Sequence, residues 1–423
     1  MAEIEGEIRY AFERRLAALP ARPDLRARIT DAVVRSSRPR AWRVLAASAA
    51  VLLLGAVTFS VLLARHQQPA PVTVSPMPSA QVSACPPSSP AALPAPTARL
   101  GGVITTVITT VAGGGPNPDG TAVNAQVPSP YAVVVNSSGV IYIGDGLGLR
   151  RVGTDRNIST NMQYVNSLAG TTGVSVAPRD LSAATPGGQP SAASELLYVT
   201  QFAKDLVVRV GGLPQGDLGK IILVDGVQGP VGIVAAQQSG LFYLAASTSN
   251  KVLKVTVLPG QAPDNGQWQT STCVVVQGPE TSRPAGLALD AQGNLYIADS
   301  GNNRILKVGV DGTIRTVAGA GPAGFSGDGR QAVKAQLSGP TGIAVDAAGV
   351  LFIADTGNNR VRRVSSKGII STVAGSGTKG FSGDGDTAVY AMLSGPTGVA
   401  IGPDGALYIA DSGNDRIRKI GPS

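Results

Sequence analysis

Three stretches near the C-terminus repeat almost the same residues at a fixed interval. Pro284-Ala285-Gly286-Leu287-Ala288-Leu289-Asp290 leads to Leu295-Tyr296-Ile297-Ala298-Asp299-Ser300-Gly301-Asn302-Asn303-Arg304. Pro340-Thr341-Gly342-Ile343-Ala344-Val345-Asp346 leads to Leu351-Phe352-Ile353-Ala354-Asp355-Thr356-Gly357-Asn358-Asn359-Arg360. Pro396-Thr397-Gly398-Val399-Ala400-Ile401 leads to Leu407-Tyr408-Ile409-Ala410-Asp411-Ser412-Gly413-Asn414-Asp415-Arg416. The prolines stand 56 residues apart. A period of this size means a repeat architecture, in which a unit cannot bury its apolar face alone and must stack on its neighbours.

Each unit holds short apolar runs of four to five residues, rich in β-branched and aromatic side chains, which is strand length rather than helix length. Asp346-Ala347-Ala348-Gly349 and Asp355-Thr356-Gly357-Asn358-Asn359 supply the Gly, Asn and Asp of tight hairpins. With a fourth run at Gly368 to Val373, four antiparallel strands per unit make a propeller blade. Weaker copies begin near residues 130, 171 and 230, ahead of those near 284, 340 and 396. The predicted fold class is therefore all-β, a six-bladed β-propeller.

The units resemble NHL repeats, and the resemblance covers roughly residues 103–421, closely in the last three units and less so in the first three. Thr316-Val317-Ala318-Gly319 running on to Gly324-Phe325-Ser326-Gly327-Asp328-Gly329, with its copy from Thr372 to Gly385, resembles connectors of bacterial NHL proteins. The resemblance implies a propeller over residues 100–423. Unit six ends soon after its third strand, whereas an orphan copy of a fourth strand stands far upstream at residues 103–112. Val103, Ile104, Val107, Ile108 and Val111 are expected to pair into the last blade and close the ring, removing an open sheet edge.

Val44 to Ala64, centred near Leu53, is an uncharged run of 21 residues. At about 1.5 Å per residue it spans the ~30 Å hydrocarbon core, so a single transmembrane helix is expected over 44–64. Ten arginines and six carboxylates precede it in residues 1–43, a basic arm whose apolar residues recur near helical spacing in short stretches, and this excess orients the N-terminus to the cytoplasm. Residues 65–99 are rich in Pro, Ser and Ala and read as an extracytoplasmic linker. Of the two cysteines, Cys85 falls in that linker and Cys273 in a predicted strand; no structural bridge between them is expected.

The net charge of +8 is concentrated in the arm rather than the propeller, and aromatics are 4% of the chain, so no nucleic-acid partner is expected. The one histidine, His66, lies outside the propeller, which excludes histidine-dependent catalysis within it. Asp299, Asp355 and Asp411 recur at one place per unit, each five residues before Arg304, Arg360 or Arg416. Recurrence in every blade argues for structural Asp–Arg pairs, since an active site needs one set. No catalytic residue, metal or cofactor is expected. The function expected is that of a membrane-anchored binding or sensor module for a protein or cell-envelope polymer. The alternative is a cation-dependent lactonase or hydrolase, with Asp328 and Asp384 among the carboxylates available to it.

Overall fold

A computed structural model describes residues 83–85, 107–116, 119–160, 171–177, 196–210, 220–225, 227–236, 240–258 and 270–421. The basic arm, the apolar run at Val44, Leu53 and Ala64, most of the linker, and Val103 and Ile104 lie outside these residues. Among the described residues no helix is long and apolar enough to cross a membrane.

The strands form six sheets, each built on four antiparallel strands, taken in chain order in every blade but the last. Blade 1 runs from Ala132–Val135 to Asn157–Thr160, blade 2 from Thr171–Ala177 to Lys220–Asp225, and blade 3 from Pro230–Ala235 to Thr270–Gln277. Blade 4 spans Pro284–Leu289 to Ile314–Ala318 and blade 5 spans Ile343–Val345 to Ile370–Ala374. Blade 6 takes three strands from the C-terminus, Pro396–Ile401, Leu407–Asp411 and Arg416–Ile420. Its outer strand is Ile108–Gly113, antiparallel to Arg416–Ile420. Ile108 is fully buried, Val111 is partly buried, and Val107 is exposed beyond the strand, bridged to Thr387.

The core is a ring of six apolar clusters, each between two neighbouring sheets. Val174 and Val199 meet Tyr142 and Leu149 across blades 1 and 2, and Ile143 meets Tyr408 and Ile417 across blades 6 and 1. A sheet of four short strands is marginal alone; burial on both faces is what stabilises each blade. Close approach of the innermost strands depends on a glycine. A Cβ on Gly286, Gly342 or Gly232 would collide with a backbone carbonyl in or just ahead of the next blade's first strand. Blade 1 carries Ala132 at this place.

One turn, present in three copies, explains much of the repeated sequence. Ser300–Asn302, Thr356–Asn358 and Ser412–Asn414 each form one 3₁₀ turn after the second strand. The next residue, Asn303, Asn359 or Asp415, is left-handed with φ of 52°, 51° and 54°. Asn and Asp tolerate this conformation better than other side-chain-bearing residues.

One expectation fails here. Cys85 and Cys273 form a disulfide with Cα atoms 5.1 Å apart. Ser83–Ala84 add a short parallel strand to Thr270–Gln277, pairing Ser83 with Cys273 and Ala84 with Val274. This edge pairing sets Cys85 beside Cys273, within a stretch whose Pro-Ser-Ala composition reads as linker.

Candidate functional site

The recurring aspartates are fully buried and hold the turns that follow them. Asp299 accepts from Ser282 N (2.7 Å), Asn302 Nδ2 (2.9 Å) and Arg304 Nε (2.7 Å). Asp355 accepts from Ser338 N (2.8 Å) and Asn358 Nδ2 (2.8 Å), and Asp411 from Ser394 N and Asn414 Nδ2, both at 2.7 Å.

The expected Asp–Arg pairing holds only in blade 4. Asp355 pairs with Arg362 at 3.2 Å, not with Arg360, and Asp411 faces Arg418 at 3.7 Å, not Arg416. Arg360 and Arg362 stand two residues apart and so share one face of their strand. The deeper one takes the carboxylate. Arg360 and Arg416 instead lie over the rings of Phe325 and Phe381, at 3.8 and 3.9 Å from the centroids. In blade 4 the deeper place is held by Leu306, which leaves Asp299 to Arg304.

Arg362 and Arg418 are fully buried between two carboxylates. The second carboxylate comes from the connector entering the blade: Asp328 at 2.7 Å from Arg362, and Asp384 at 2.6 Å from Arg418. Outer-strand threonines complete each cluster, Thr372 donating to Asp328 (2.7 Å) and Thr110 to Asp384 (2.5 Å). Blade 1 repeats the arrangement more loosely: Arg150 is buried, 3.4 Å from Asp145 and 3.8 Å from Asp119. Each connector then packs two alanines and a larger apolar residue, as in Ala332, Ala335 and Leu337. These three latches fasten a connector to the blade that follows it. Asp328 and Asp384, considered above as cation ligands, are engaged by arginine.

Burial pushes the Asp145 carboxyl up to about 6, against the opposing pull of Arg150 and of the Gly148 and Leu147 amides. Burial likewise raises Asp355 and Asp411. Among the described residues no cluster of three or more His, Cys, Asp or Glu could hold a metal ion.

A second set of residues frames the end of the channel where the first strands begin. There hydroxyls tie blade to blade: Thr172 donates to Pro230 O (2.9 Å), Thr341 to Thr397 O (2.8 Å), Thr356 to Pro396 O (2.8 Å) and Thr397 to Pro130 O (2.9 Å). Blade 1 places Tyr131 where blades 5 and 6 have Thr341 and Thr397, and this residue is 44% exposed. Blade 2 places Phe202, also 44% exposed, where blades 4 and 6 have Ser300 and Ser412. Arg283 is exposed just ahead of the first strand of blade 4, where blades 5 and 6 have glycine. Sequence reasoning passed over Tyr131, Phe202 and the arginines at 150, 362 and 418. The available signal was a large or charged residue at a position that is small or apolar in the other units.

Residues 281–308 and 393–420 match the NHL repeat model, and residues 321–380 match the model of the teneurin NHL domain. The chain contains a six-bladed NHL-repeat β-propeller. The propeller is similar to teneurins: it is 26% identical over 359 residues to human (Homo sapiens) teneurin-1, a match covering 74% of this chain and 13% of the teneurin. With mouse (Mus musculus) teneurin-3 it shares 31% over 231 residues, 48% of this chain and 8% of that protein. The chain thus matches a small part of these relatives' length. Among solved structures, an auxiliary nutrient binding protein from Bacteroides thetaiotaomicron VPI-5482 superposes with a TM-score of 0.56 at 18% identity, covering 74% of this chain and 76% of that one. That likeness is one of fold.

Proposed function

We propose that this chain is a membrane-tethered, extracytoplasmic NHL propeller that binds a protein or cell-envelope polymer at the channel mouth lined by blades 1 and 2. The observation that carries the location is the Cys85–Cys273 disulfide, since such bonds persist in oxidising compartments. The apolar run at 44–64 supplies the tether. Binding rather than catalysis is supported by how the carboxylates are spent. The recurrent aspartates and the connector aspartates are engaged in holding turns and connectors. The mouth, by contrast, offers Tyr131 and Phe202, large amphipathic or apolar side chains of the kind that anchor recognition surfaces.

The test exchanges these two residues for those of the regular blades, Tyr131→Thr with Phe202→Ser, in the full-length protein. Native envelope fractions are cross-linked to parent and variant, and the captured species compared. The reading expects one species lost from the variant while its melting temperature stays within a few degrees of the parent. An unchanged capture pattern overturns the assignment to this mouth. Thiol labelling of intact cells, with and without prior reduction, checks the compartment separately.

A further inference from the structure

The N-terminal side of the propeller is fastened at two places half a ring apart. Ser83 and Ala84 pair with the outer strand of blade 3, Cys85 N donates to Val274 O at 3.2 Å, and Cys85 is bonded to Cys273. Ile108–Gly113 then completes blade 6, three blades further round. Residues 86–107 join the two places.

The second place is the seam at which the ring closes. Ile108 is the first residue of the closing strand, directly after Val107 with its bridge to Thr387, so chain tension arriving from the N-terminal side would fall on this entry to the strand. Ile108 is bonded to the connector of blade 6 as well as to its sheet: Ile108 N donates to Asp386 O (3.0 Å), and Gly385 N donates to Ile108 O (2.8 Å). The same connector carries Asp384, the partner of buried Arg418 and of Thr110. Displacing Ile108 therefore disturbs the closing strand, the connector and a buried ion pair together. The disulfide stands upstream of all of this. A two-residue strand resists little by itself, but a covalent bond from Cys85 to Cys273 hands tension to blade 3 before it reaches residue 108.

We propose that the Cys85–Cys273 bridge is a load-diverting staple, carrying tension from the N-terminal tether into blade 3 and keeping it off the ring-closing strand of blade 6. The source of the tension rests on the anchored reading above; the load path is a property of the chain itself.

The test stretches single full-length molecules between the N-terminus and a bio-orthogonal handle at Ala203, an exposed turn residue of blade 2. Parent and Ile108→Ala are each pulled oxidised and after reduction with dithiothreitol, a free-thiol assay having first verified the bridge in the folded protein. Reduction lengthens the extended path between Cys85 and the handle from 70 residues on the Cys273 side to 118 along the chain, a shift of about 160 Å. The expected result is that Ile108→Ala lowers the first rupture force in reduced molecules and leaves it unchanged in oxidised ones. Loss of force in both states, or in neither, overturns the proposal, as does a bridge absent from the folded protein. Should Ile108→Ala fail to fold, Thr110→Val, which removes the bond to Asp384, serves in its place. A protein that proves not to be membrane-bound would remove the source of tension without altering these four measurements.

Discussion

Blades 4 and 5 are close copies in sequence, yet they are held to the ring in different ways. The third strand of blade 5 buries Arg362 at its centre, and that of blade 4 buries Leu306. The connector into blade 5 carries Phe325, Asp328 and the alanine pair, whereas the segment leading into blade 4 carries none of them. Blade 1, a weaker copy of the repeat, nonetheless keeps Arg150, Asp145, Asp119 and the buried Ala122 and Ala125. The physical unit of this ring is thus a connector with the blade after it, and blades 5, 6 and 1 form a latched arc facing blades 2, 3 and 4, whose equivalent positions hold Val208, Leu253 and Leu306. An apolar residue there needs only apolar neighbours. A buried guanidinium needs both carboxylates, which makes the connector obligatory.

The largest effect expected from this contrast is on Arg362→Leu. It leaves Asp355 buried without its cation and releases Asp328, and breaking such a pair from one side costs about 3–5 kcal/mol. Arg304→Leu in blade 4 removes a partly exposed partner from Asp299, which keeps Ser282 N, Thr281 Oγ1 and Asn302 Nδ2, and should cost about 1.5 kcal/mol. Denaturant unfolding of the two variants compares them directly. Equal costs would abolish the distinction between latched and unlatched blades.

The strands, their hairpins and the six-unit count were legible because they rest on period-2 patterning and on turn residues, both local signals. The latches were less so. Asp355 has Arg360 and Arg362 within reach along the sequence, and spacing cannot say which guanidinium goes inward. That is decided by the tertiary contact with Asp328 from another element. The comparison of Leu306 with Arg362 at one repeat position was the readable clue. The disulfide was hidden for a different reason: Ser83–Ala84 is two residues of strand inside a proline-rich stretch, formed only because the edge of blade 3 is there to receive it. Tyr131 and Phe202 were overlooked because a single large side chain in a drifted repeat looks like ordinary divergence until its exposure is seen.

A pH experiment sharpens the contrast within the latched arc. The Asp145 carboxyl sits at about 6 in the folded protein, above the roughly 3.9 of an unfolded aspartate. Between about pH 4 and 6 the folded state therefore holds a proton that the unfolded chain has released. Stability from this site falls as pH rises through that window, by at most about 1.4 kcal/mol per unit. Asp355 and Asp411, raised by burial, act in the same direction. Unfolding measured at pH 4.5 and 6.5 should show the parent losing stability relative to Asp145→Asn as pH rises. A constant difference between the two would mean that Arg150 keeps Asp145 ionised throughout.

A smaller effect separates the inner strands. In Gly342→Ala the added Cβ meets the carbonyl of Thr397, and overpacking of this kind costs about 1–3 kcal/mol. Ala132→Gly in blade 1 removes a methyl group rather than adding one and should cost less than about 1 kcal/mol, the entropic penalty of a strand glycine. Thermal melting of the pair would break the comparison if alanine proved as tolerable at 342 as it is at 132.

The smallest effect tests whether the aromatic cover belongs to the latch or merely lies on it. Phe381 is 40% exposed, with Arg416 at 3.9 Å and buried Arg418 at 4.9 Å from its ring centroid. A cation over an aromatic face at a partly exposed site contributes about 0.5–1 kcal/mol. Phe381→Leu keeps the apolar cover and loses the ring face, so it should cost no more than that when measured by denaturant unfolding. In an Arg418→Leu background the remaining cost should change little, because Arg416 lies closer to the ring and supplies most of the attraction. A double-mutant cycle that instead finds strong coupling between Phe381 and Arg418 would make the ring a working part of the buried charge cluster, and the latches of blades 5 and 6 would then differ from that of blade 1, whose connector has no aromatic residue, by a cap over the arginine.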